Sequence, residues 1–316
     1  METTLIHNPR AGRAHSEKAL VSALGAIGWR VRRSVHKADF DASCCRGSDV
    51  VVVAGGDGTV AHVARALADT GMAMAIIPMG TANNVARSLG LGVDAAAAIR
   101  ALEDVVERRI DLGSVRGAAP IGGFFIEGVS VGAFAEVVAA AATKKKVKRL
   151  HDALDLMADQ LDEYVPHRFE VEIDGHDYSD AFVLAAVMNM RSLGPAVNLA
   201  PEAKCDDGLL DVVLVRPEWR PSLVTHLRRA AEEGDLVLPS FETVTATHVH
   251  LRADGRCGHV DDRSGTLAGP LDVDVAAGAL TLMAPSPSSS SRRPTPGTRG
   301  RGERAGALPH RAHRSA

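Results

Sequence analysis

Aromatic residues make up only 3% of this 316-residue chain, and no run reaches the roughly 18 consecutive apolar residues of a membrane-spanning helix. Few aromatic side chains leave little surface on which nucleic-acid bases could stack. The N-terminus also lacks a charged leader followed by an apolar block. The cysteines, at positions 44, 45, 205 and 257, form no Cys-x-x-Cys pair, which is typical of a reducing compartment. We therefore expect a cytoplasmic protein that binds no nucleic acid.

Lysine is absent from residues 285–316, and this segment carries seven arginines against a single acid, Glu303. Its net charge is therefore +6, and since the whole chain carries −3, the rest of the chain carries −9. The segment is rich in Ser, Pro and Gly and has too few apolar residues to offset the entropy lost on ordering. We predict a disordered basic tail, which either only solvates the chain end or meets an anionic surface.

Apolar runs alternate with helical patterns over residues 1–110, which predicts an α/β domain. The predicted strands span residues 3–7, 31–35, 49–54 and 73–78, and the predicted helices span residues 16–24, 59–67 and 83–89. Strands separated by helices indicate a parallel sheet with helices on both faces. The run 49–54 contains four consecutive valines, which is typical of a strand buried on both faces.

From residue 111 onward the pattern changes to strands without regular helical spacers. The predicted strands span residues 124–129, 169–173, 181–187, 209–215, 244–251 and 271–275. Asp174-Gly175, between two of these strands, predicts a hairpin turn because both turn positions require positive φ. One helix is predicted over residues 150–164, with its apolar face inward. We therefore expect residues 111–284 to form a mainly antiparallel β-sandwich domain.

The segment 50–59 runs from a buried strand through three glycines, Gly55, Gly56 and Gly58, into a helix. Backbone N–H groups at a helix N-terminus favour an anion, and the absent Cβ atoms allow close approach, so the segment predicts a nucleotide phosphate site. Asp57 among phosphates implies an intervening divalent cation or a proton acceptor. The alternative is an ordinary glycine-rich turn in which Asp57 caps the helix.

A second loop, Pro78-Met79-Gly80-Thr81-Ala82-Asn83-Asn84, also follows a predicted strand and opens a helix. Two adjacent strands of one parallel sheet thus end in small and polar residues at the same edge. Ligands of open α/β sheets bind outside the carboxyl ends of the strands. The two loops together therefore favour a ligand site over a structural turn.

The two loops and the segment Asn8-Pro9-Arg10-Ala11-Gly12 resemble the diacylglycerol kinase catalytic-domain family, which includes bacterial lipid kinases and the sphingosine and ceramide kinases. The likeness continues in Gly128-Val129-Ser130-Val131-Gly132-Ala133, in Asn189, and in residues 201–212 with their Asp-Gly-Leu-Leu-Asp run. It covers the chain from Thr3 to Pro285. Several ordered motifs at plausible spacing are far more specific than any one motif.

The resemblance implies an ATP- and Mg²⁺-dependent kinase that transfers the γ-phosphate to a hydroxyl of a lipid such as diacylglycerol or a sphingoid base. NAD kinases and phosphofructokinases resemble this family in fold and share the Gly-Gly-Asp-Gly loop. A soluble-substrate kinase such as an NAD kinase is therefore an alternative. The Pro-x-Gly-Thr-x-Asn and Asp-Gly-Leu-Leu-Asp segments favour the lipid-kinase branch.

The same resemblance implies which residues bind ATP and metal. The nucleotide contacts would come from Ser34, Gly55, Gly56, Asp57, Gly58, Thr59 and Thr81. A structural Mg²⁺ would use the Asp207 side chain and the carbonyls of Lys204 and Leu209, while Asp57 would organise Mg²⁺ or its waters. Two adjacent carboxylates before a strand suit a hard cation, and an Asx-type turn at Asp207 is the alternative.

The chain departs from the family pattern at the expected catalytic base. Members usually carry Asp-Gly-Glu before the last strand, whereas this chain has Val-Asp-Asp-Arg-Ser-Gly there, without a Glu. We predict Asp262 as the substitute base and Asp261 as the second candidate, since Ser264, opposite the missing Glu, cannot act as a base unaided. A catalytically weak pseudokinase that binds nucleotide and lipid is the alternative. Milder departures are Asn84, where the family often has Asp, and Glu127, where Asn is frequent.

The densest basic run in the body of the chain is Lys144-Lys145-Lys146-Val147-Lys148-Arg149. One interpretation is a solvated helix start. A lipid kinase without a membrane span must nevertheless reach a bilayer, and each basic residue near anionic lipid contributes about 1 kcal/mol. The alternative is therefore peripheral contact with an anionic membrane surface, to which the arginine-rich tail would also contribute.

Overall fold

The computed structural model describes residues 1–12, 15–117, 121–143, 150–194, 196–233 and 241–286. The basic run at 144–149 and the tail from residue 287 onward lie outside the described residues, so the statements made about them stay predictions. Pro285, where the sequence predicts the tail to begin, is the last residue of a strand and pairs with Val105.

The first third of the chain forms a parallel sheet with helices on both faces. Its strands are β1 (Glu2–His7), β2 (Arg30–His36), β3 (Val50–Gly55) and β4 (Ala73–Pro78), and its helices are α1 (Glu17–Ala26), α2 (Asp57–Leu67), α3 (Asn84–Ser88) and α4 (Ala95–Ala101). The strand order is β4-β3-β1-β2. All of β3 is buried, because helices pack on both faces of its valine run. The strands and helices predicted here are confirmed.

Helix α4 has no counterpart among the predicted elements. Its run of alanines carries no clear apolar stripe, so the residue pattern gives no helical period. The helix begins at a local signal instead, because the Asp94 side chain accepts the N–H of Ala97 at 2.7 Å.

The rest of the chain adds an antiparallel β-sandwich. Its strands are β5 (Val105–Gly117), β6 (Gly123–Phe125), β7 (Gly128–Gly132), β8 (His167–Ile173), β9 (His176–Asp177), β10 (Asp180–Phe182), β11 (Leu184–Met188), β12 (Ser192–Leu193), β13 (Val197–Asn198), β14 (Leu210–Val215), β15 (Glu242–Ala246), β16 (His248–Arg252), β17 (Cys257–Val260), β18 (Arg263–Thr266) and β19 (Leu271–Pro285). One sheet has the order β15-β14-β11-β7-β17-β18, and β10-β8-β16-β19 with β5 faces it. Phe125, Phe169 and Phe182 lie in the core between them. The predicted fold class is confirmed.

Strand β19 takes part in both domains. Residues 271–274 pair with β16 in antiparallel fashion, and Thr281 and Leu282 pair with β4 in parallel. Its pairing with β5 is irregular near Gly278, which has φ +58°. The strand predicted over 271–275 is therefore too short, because small residues around this irregularity interrupt the period-two pattern. A single 11-stranded sheet thus runs from the first domain into the sandwich.

Three other predicted strands are each divided in the structure. Residues 244–251 fall into β15 in one sheet and β16 in the other, with Thr247 between them. Thr247 donates its backbone N–H and its hydroxyl to Asp174 Oδ1 at 3.2 and 2.9 Å, which fixes this corner. Residues 124–129 divide in the same way into β6 and β7, and residues 181–187 divide into β10 and β11. A strand that changes sheet at a sandwich corner gives no signal in the residue pattern.

Three of the described helices cover the outer face of the sheet β15-β14-β11-β7-β17-β18. They are α5 (Ala133–Thr143), α6 (Leu150–Glu163) and α7 (Arg220–Glu233). Helix α6 is the predicted one, and Leu154, Met157 and Leu161 form its buried face. The prediction of a single helix is wrong. Helix α5 is apolar almost all round, and the apolar residues of α7 are diluted by charged ones, so neither shows a clear stripe. Among the described residues, none of the helices has the length and apolar character needed to cross a bilayer.

Two local features of the structure concern the hairpin turn and the cysteines considered in the sequence. Asp174 and Gly175 have φ +45° and +84° and join β8 to β9, so the predicted hairpin turn is confirmed. The four cysteines are all free thiols.

Candidate active site

The glycine loop lies at the carboxyl edge of the parallel sheet, between β3 and α2. Gly56 is the N-cap of α2, and no side chain caps that helix. A Cβ atom on Gly56 would lie 2.9 Å from the Cα atom of Gly80 in the second loop. The Met79 N–H also donates to the Gly55 carbonyl at 2.8 Å. The two loops therefore pack backbone against backbone at one sheet edge.

The second loop is held by Asn83, the residue before α3. Asn83 has φ +52°, a left-handed conformation that Asn adopts more readily than most residues. Its amide accepts the Gly80 N–H at 2.8 Å and donates to the Gly80 carbonyl at 3.0 Å. The turn leaves Thr81 exposed, and a Cβ atom on Gly12 would lie 2.9 Å from the Thr81 hydroxyl oxygen. Thr81 therefore lies where the loop after β1 meets the second loop.

Thr59 and Ser34 occupy different positions relative to this edge. Thr59 is buried in the first turn of α2, and its hydroxyl accepts a hydrogen bond from the Asn8 amide at 3.2 Å. It therefore fastens the loop after β1 to α2. Ser34 is half-buried in β2, level with Leu5 of β1, and β1 separates β2 from β3. The structure thus places Ser34 two strands away from the glycine loop.

Asp57 joins the two loops. Its Oδ1 accepts the backbone N–H of Val85, in the first turn of α3, at 3.1 Å. Loss of surrounding water raises the pKa of Asp57, and the N–H groups of Val85, Asn83 and Asn84 oppose that rise. The side chain thus caps the neighbouring helix α3. The interpretation of Asp57 as an ordinary cap of its own helix is wrong, because Asp57 is the first helical residue of α2.

Asp261 and Asp262 form the turn of the β17–β18 hairpin, which reaches back to the glycine loop. Asp261 is buried; its Oδ1 accepts the Glu127 N–H at 2.9 Å, and its Oδ2 pairs with Arg65 at 3.1 Å. Burial raises the pKa of Asp261 to about 6, against the effect of these donors. The Asp262 side chain is 40% exposed, with Oδ1 3.2 Å from Arg65 Nη2. A Cβ atom on Gly58 would lie 2.9 Å from Asp262 Oδ2, so this carboxylate faces the glycine loop.

Glu127 brings a further carboxylate to the site. Asn84 Nδ2 donates to Glu127 Oε2 at 2.9 Å, and both residues are buried. Burial raises the pKa of Glu127 well above its ordinary range, and the charges of Asp57 and Asp261 raise it further. Within the described part of the chain, no group of three or more His, Cys, Asp or Glu side chains is arranged to hold a metal ion.

The loop predicted to hold a structural Mg²⁺ lies just before β14. Asp207 is exposed, and its Oδ1 accepts the N–H of Leu209 at 3.2 Å, which is the geometry of an Asx-type turn. Asp111, buried beneath the loop, accepts the Gly208 N–H at 2.8 Å. The loop is thus fixed to β5, with Lys204 and Asp207 at the surface.

Comparison with known proteins assigns the chain to a family. A model of the diacylglycerol kinase catalytic domain matches residues 2–115, and a model of the YegS C-terminal NAD kinase beta sandwich-like domain matches residues 127–284. The chain belongs to the diacylglycerol kinase and YegS-like family of lipid kinases.

This lipid kinase has relatives that span nearly its whole length. It is 33% identical over 309 residues to a Pseudomonas aeruginosa protein named "probable lipid kinase YegS-like", covering 92% of this chain and 96% of the relative. It is 28% identical over 299 residues to a diacylglycerol kinase of Mycobacterium tuberculosis, covering 90% and 95%. The crystal structure of a Bacillus anthracis diacylglycerol kinase has a TM-score of 0.66 at 22% identity, covering 91% and 97%. That last likeness supports the fold.

Several residues at the site of this kinase carry no functional signal in the sequence. Arg65 lies on α2, 196 residues before its partner Asp261, so no spacing connects them. Asp111 lies inside a long strand and resembles any polar strand residue. Glu127 differs from them, because it is visible in the sequence as a departure from the family pattern.

Proposed function

We propose that this lipid kinase transfers the γ-phosphate of ATP to a hydroxyl of a lipid such as diacylglycerol or a sphingoid base. The observation that carries the proposal is the meeting of two backbone-packed loops with Asp57 and Asp262 at one sheet edge. The name of the Mycobacterium tuberculosis relative supports diacylglycerol as the acceptor class.

The glycine loop fits the phosphates of ATP. Gly55, Gly56 and Gly58 lead into the N-terminus of an 11-residue helix, where backbone donors and the helix dipole favour anions. A Cβ atom on Gly58 would fill the space next to Asp262, so glycine keeps this space free. Thr81 adds an exposed hydroxyl, and Thr59 acts by fixing the loop after β1. Ser34 stays a nucleotide contact by resemblance alone.

We propose two places in the chain for Mg²⁺. Asp57 offers a partly exposed carboxylate beside the glycine loop, held in orientation by the Val85 N–H. By resemblance, Asp207 and the carbonyls of Lys204 and Leu209 would provide the oxygen ligands that hard cations prefer. Bound Mg²⁺ would neutralise negative charge on the phosphate oxygens during phosphoryl transfer.

We assign Asp262 as the base that takes the proton of the acceptor hydroxyl. The hydroxyl oxygen of the lipid forms a bond to the γ-phosphorus, the bond from that phosphorus to the leaving oxygen of ADP breaks, and the hydroxyl proton moves to the carboxylate. Arg65 holds Oδ1 of Asp262, which leaves Oδ2 towards the loop. The contacts of Asp261 argue against it as the base, because both of its oxygens already accept hydrogen bonds. Ser264, on β18, would need a separate base.

We also place the protein in the cytoplasm, in peripheral contact with an anionic membrane surface. Four free cysteines support a reducing compartment. The basic run at 144–149 supports the membrane contact, since a lipid acceptor is presented by a bilayer.

An acceptor panel tests the proposed function. The protein is incubated with γ-labelled ATP, Mg²⁺ and, in separate reactions, diacylglycerol, a sphingoid base and NAD. We expect label in a lipid and none in NAD. Label in NAD alone would instead support a soluble-substrate kinase, and ATP binding without any labelled acceptor would support a pseudokinase.

The role of Asp262 is tested by Asp262→Ala. We expect turnover to fall by about 100-fold or more, the range for loss of a general base. Asp254→Ala is the matched control, because Asp254 is an exposed aspartate just before the other end of β17, paired with Arg252. If Asp262→Ala turns over at the wild-type rate while Asp57→Ala is inactive, the assignment of Asp262 is wrong.

A further inference from the structure

An apolar groove runs between α1 and α4 on one face of the parallel sheet. Both helices pack on the same core, α1 through Leu20 and Leu24 and α4 through Ala95 and Ile99. The groove between them has a volume of about 380 Å³. Much of its wall is formed by alanines, namely Ala19, Ala23, Ala26, Ala95 and Ala96. Because these side chains are short, they leave the space between the two helices unfilled.

The described part of the chain ends beside this groove. Strand β19 ends at Pro285, and the next residue, Ser286, donates its backbone N–H to the Asp104 carbonyl and its hydroxyl to Asp104 Oδ1, each at 2.9 Å. Asp104 directly follows Glu103, which lines the groove just after α4. Residues 287–316 therefore start from a point that is fixed next to the groove wall.

Residues 287–316 contain one short apolar segment. The connecting stretch, residues 287–304, is rich in Ser, Pro and Gly and contains no large apolar side chain. Ala305-Gly306-Ala307-Leu308-Pro309 follows it, and Leu308 is the one large aliphatic side chain of residues 287–316. Burial of such a side chain against an apolar surface is favourable because it removes both surfaces from water.

The length of the connecting stretch suits the distance to be covered. It joins Ser286 to the apolar segment with 18 residues, and a flexible chain of about that length has an r.m.s. end-to-end distance of about 23 Å. Helix α4 (Ala95–Ala101) is about 10 Å long at a rise of about 1.5 Å per residue. The segment can therefore reach every part of the groove, at an effective concentration of about 1 mM.

Charge also favours this segment as the occupant. Residues 287–316 carry a net charge of +6 against −9 for the rest of the chain, so the two parts attract each other. Glu303 and Arg304 stand directly before the apolar segment. Arg100 and Glu103 line the groove. Each side thus offers one acid and one base to the other.

We propose that the segment 305–309 binds in the groove between α1 and α4 of its own chain, with Leu308 against the alanine wall. The groove is then a docking surface that holds the basic tail on the first domain. Docking does not depend on the phosphoryl transfer proposed above, so it can be tested without ATP or lipid.

Trypsin cleavage of the full chain tests this docking. Arg304 and Arg311 lie close to the segment on either side, whereas Arg292 lies near the start of the connecting stretch. Initial rates of cleavage after each arginine are measured by mass spectrometry for wild type and for Ala96→Lys. Ala96 is an exposed residue of the groove wall, so a lysine there blocks the groove and leaves the tail sequence unchanged.

We expect cleavage after Arg304 and Arg311 to be about 10-fold faster in Ala96→Lys than in wild type. A segment affinity of about 0.1 mM at an effective concentration of about 1 mM gives this factor. Cleavage after Arg292 should be equal in the two proteins. Ala97→Lys is the matched control and should cleave like wild type, because Ala97 is an exposed neighbour on α4 that is not part of the groove wall.

A second variant tests the segment itself. Leu308→Ser removes the large apolar side chain from the tail and leaves the folded domains unchanged. We expect cleavage after Arg304 and Arg311 to be about 10-fold faster than in wild type, as in Ala96→Lys. Leu308→Met keeps an apolar side chain of similar volume and should stay within about 2-fold of the wild-type rates.

Three results would overturn the proposal. Equal rates after Arg304 and Arg311 in wild type, Ala96→Lys and Leu308→Ser would mean that the segment does not bind the groove. Slow cleavage that persists in Leu308→Ser would mean that another part of the tail binds there. The rates should not change when the protein is diluted at constant trypsin concentration. Protection that is lost on dilution would mean that the tail binds a second copy of the chain.

Discussion

His259, on β17, is a buried histidine paired with Ser130 on β7. The Ser130 hydroxyl lies 2.8 Å from His259 Nδ1, and burial lowers the pKa of His259 to about 4. The ordinary pKa of histidine is about 6.5. Between these values the unfolded chain binds a proton at this position and the folded chain does not. The contribution of His259 to stability is therefore lost as the pH falls from about 6.5 to about 4.

His259→Asn tests this dependence, because asparagine keeps a hydrogen-bonding group near Ser130 without a titratable ring. From pH 6.5 to pH 4, we expect the free energy of unfolding of wild type to fall by about 2–3 kcal/mol more than that of the variant. Urea denaturation at several pH values measures both, with His176→Asn on the exposed strand β9 as control. Identical pH profiles for wild type and His259→Asn would contradict the account.

Gly56→Ala adds a methyl group where the two loops touch. Its Cβ would lie 2.9 Å from the Gly80 Cα atom, and backbone cannot move aside as a flexible side chain can. We expect the free energy of unfolding to fall by about 1–3 kcal/mol, with weaker binding of ATP as the loops separate. Gly25→Ala in α1 is the control, because its Cβ meets nothing within 4 Å; it should gain about 0.5–1 kcal/mol. Wild-type stability and ATP affinity in Gly56→Ala would be the contrary result.

At the scale of elements, Arg65 ties α2 to the β17–β18 hairpin. Its side chain is 17% exposed and pairs with Asp261, which is 1% exposed, and with Asp262. Arg65→Met leaves a buried carboxylate without its cation, so we expect a loss of about 3 kcal/mol in the free energy of unfolding. Arg108→Met breaks the exposed pair with Asp206 and should cost about 1 kcal/mol or less. Chemical denaturation compares the two variants, and equal losses would show that the Arg65 tie is no stronger than a surface pair.

Elements of the first domain could be predicted because their burial appears in local sequence. The valine run of β3 indicates a strand covered on both faces, and the glycines after it mark the turn. In the sandwich, pairing between distant segments decides the elements. Thr247 divides one β-rich run between two sheets because Asp174, far away in sequence, binds it at the corner. The length of β19 likewise depends on β4 and β5, its neighbours in space.

At the scale of the whole molecule, the two domains share β19 and should unfold together. Leu282, where β19 pairs with β4, is buried, and Leu282→Ala should cost about 2–5 kcal/mol. The two tryptophans report on separate domains, since Trp29 lies before β2 and Trp219 just before α7. In Trp219→Phe and Trp29→Phe backgrounds, fluorescence of the remaining tryptophan should show Leu282→Ala shifting both transitions equally. A shift confined to the Trp29 signal would mean that the domains unfold independently.

The loops of the candidate site could be predicted from the sequence. The contacts that join the two domains at this site could not. The glycines of the first loop and the carboxylate of Asp57 follow from the chemistry of phosphate binding. Arg65 and Asp111 act on residues about 100 or more positions away, and only the packing of the domains selects those partners. The partner of Glu127 is Asn84, 43 positions away, and no residue pattern connects the two.

The central claim is that phosphate passes directly from ATP to a lipid hydroxyl at the glycine loop, with the help of Asp57. The most direct measurement is the initial rate of label transfer from γ-labelled ATP to diacylglycerol in anionic vesicles, for wild type and Asp57→Asn. Asparagine keeps an oxygen that can accept the Val85 N–H, so the variant removes charge with little change in shape. We predict labelled lipid with wild type. The variant should transfer label at a rate lower by at least about 100-fold. A wild type that labels no lipid, or a variant as fast as wild type, would contradict the account.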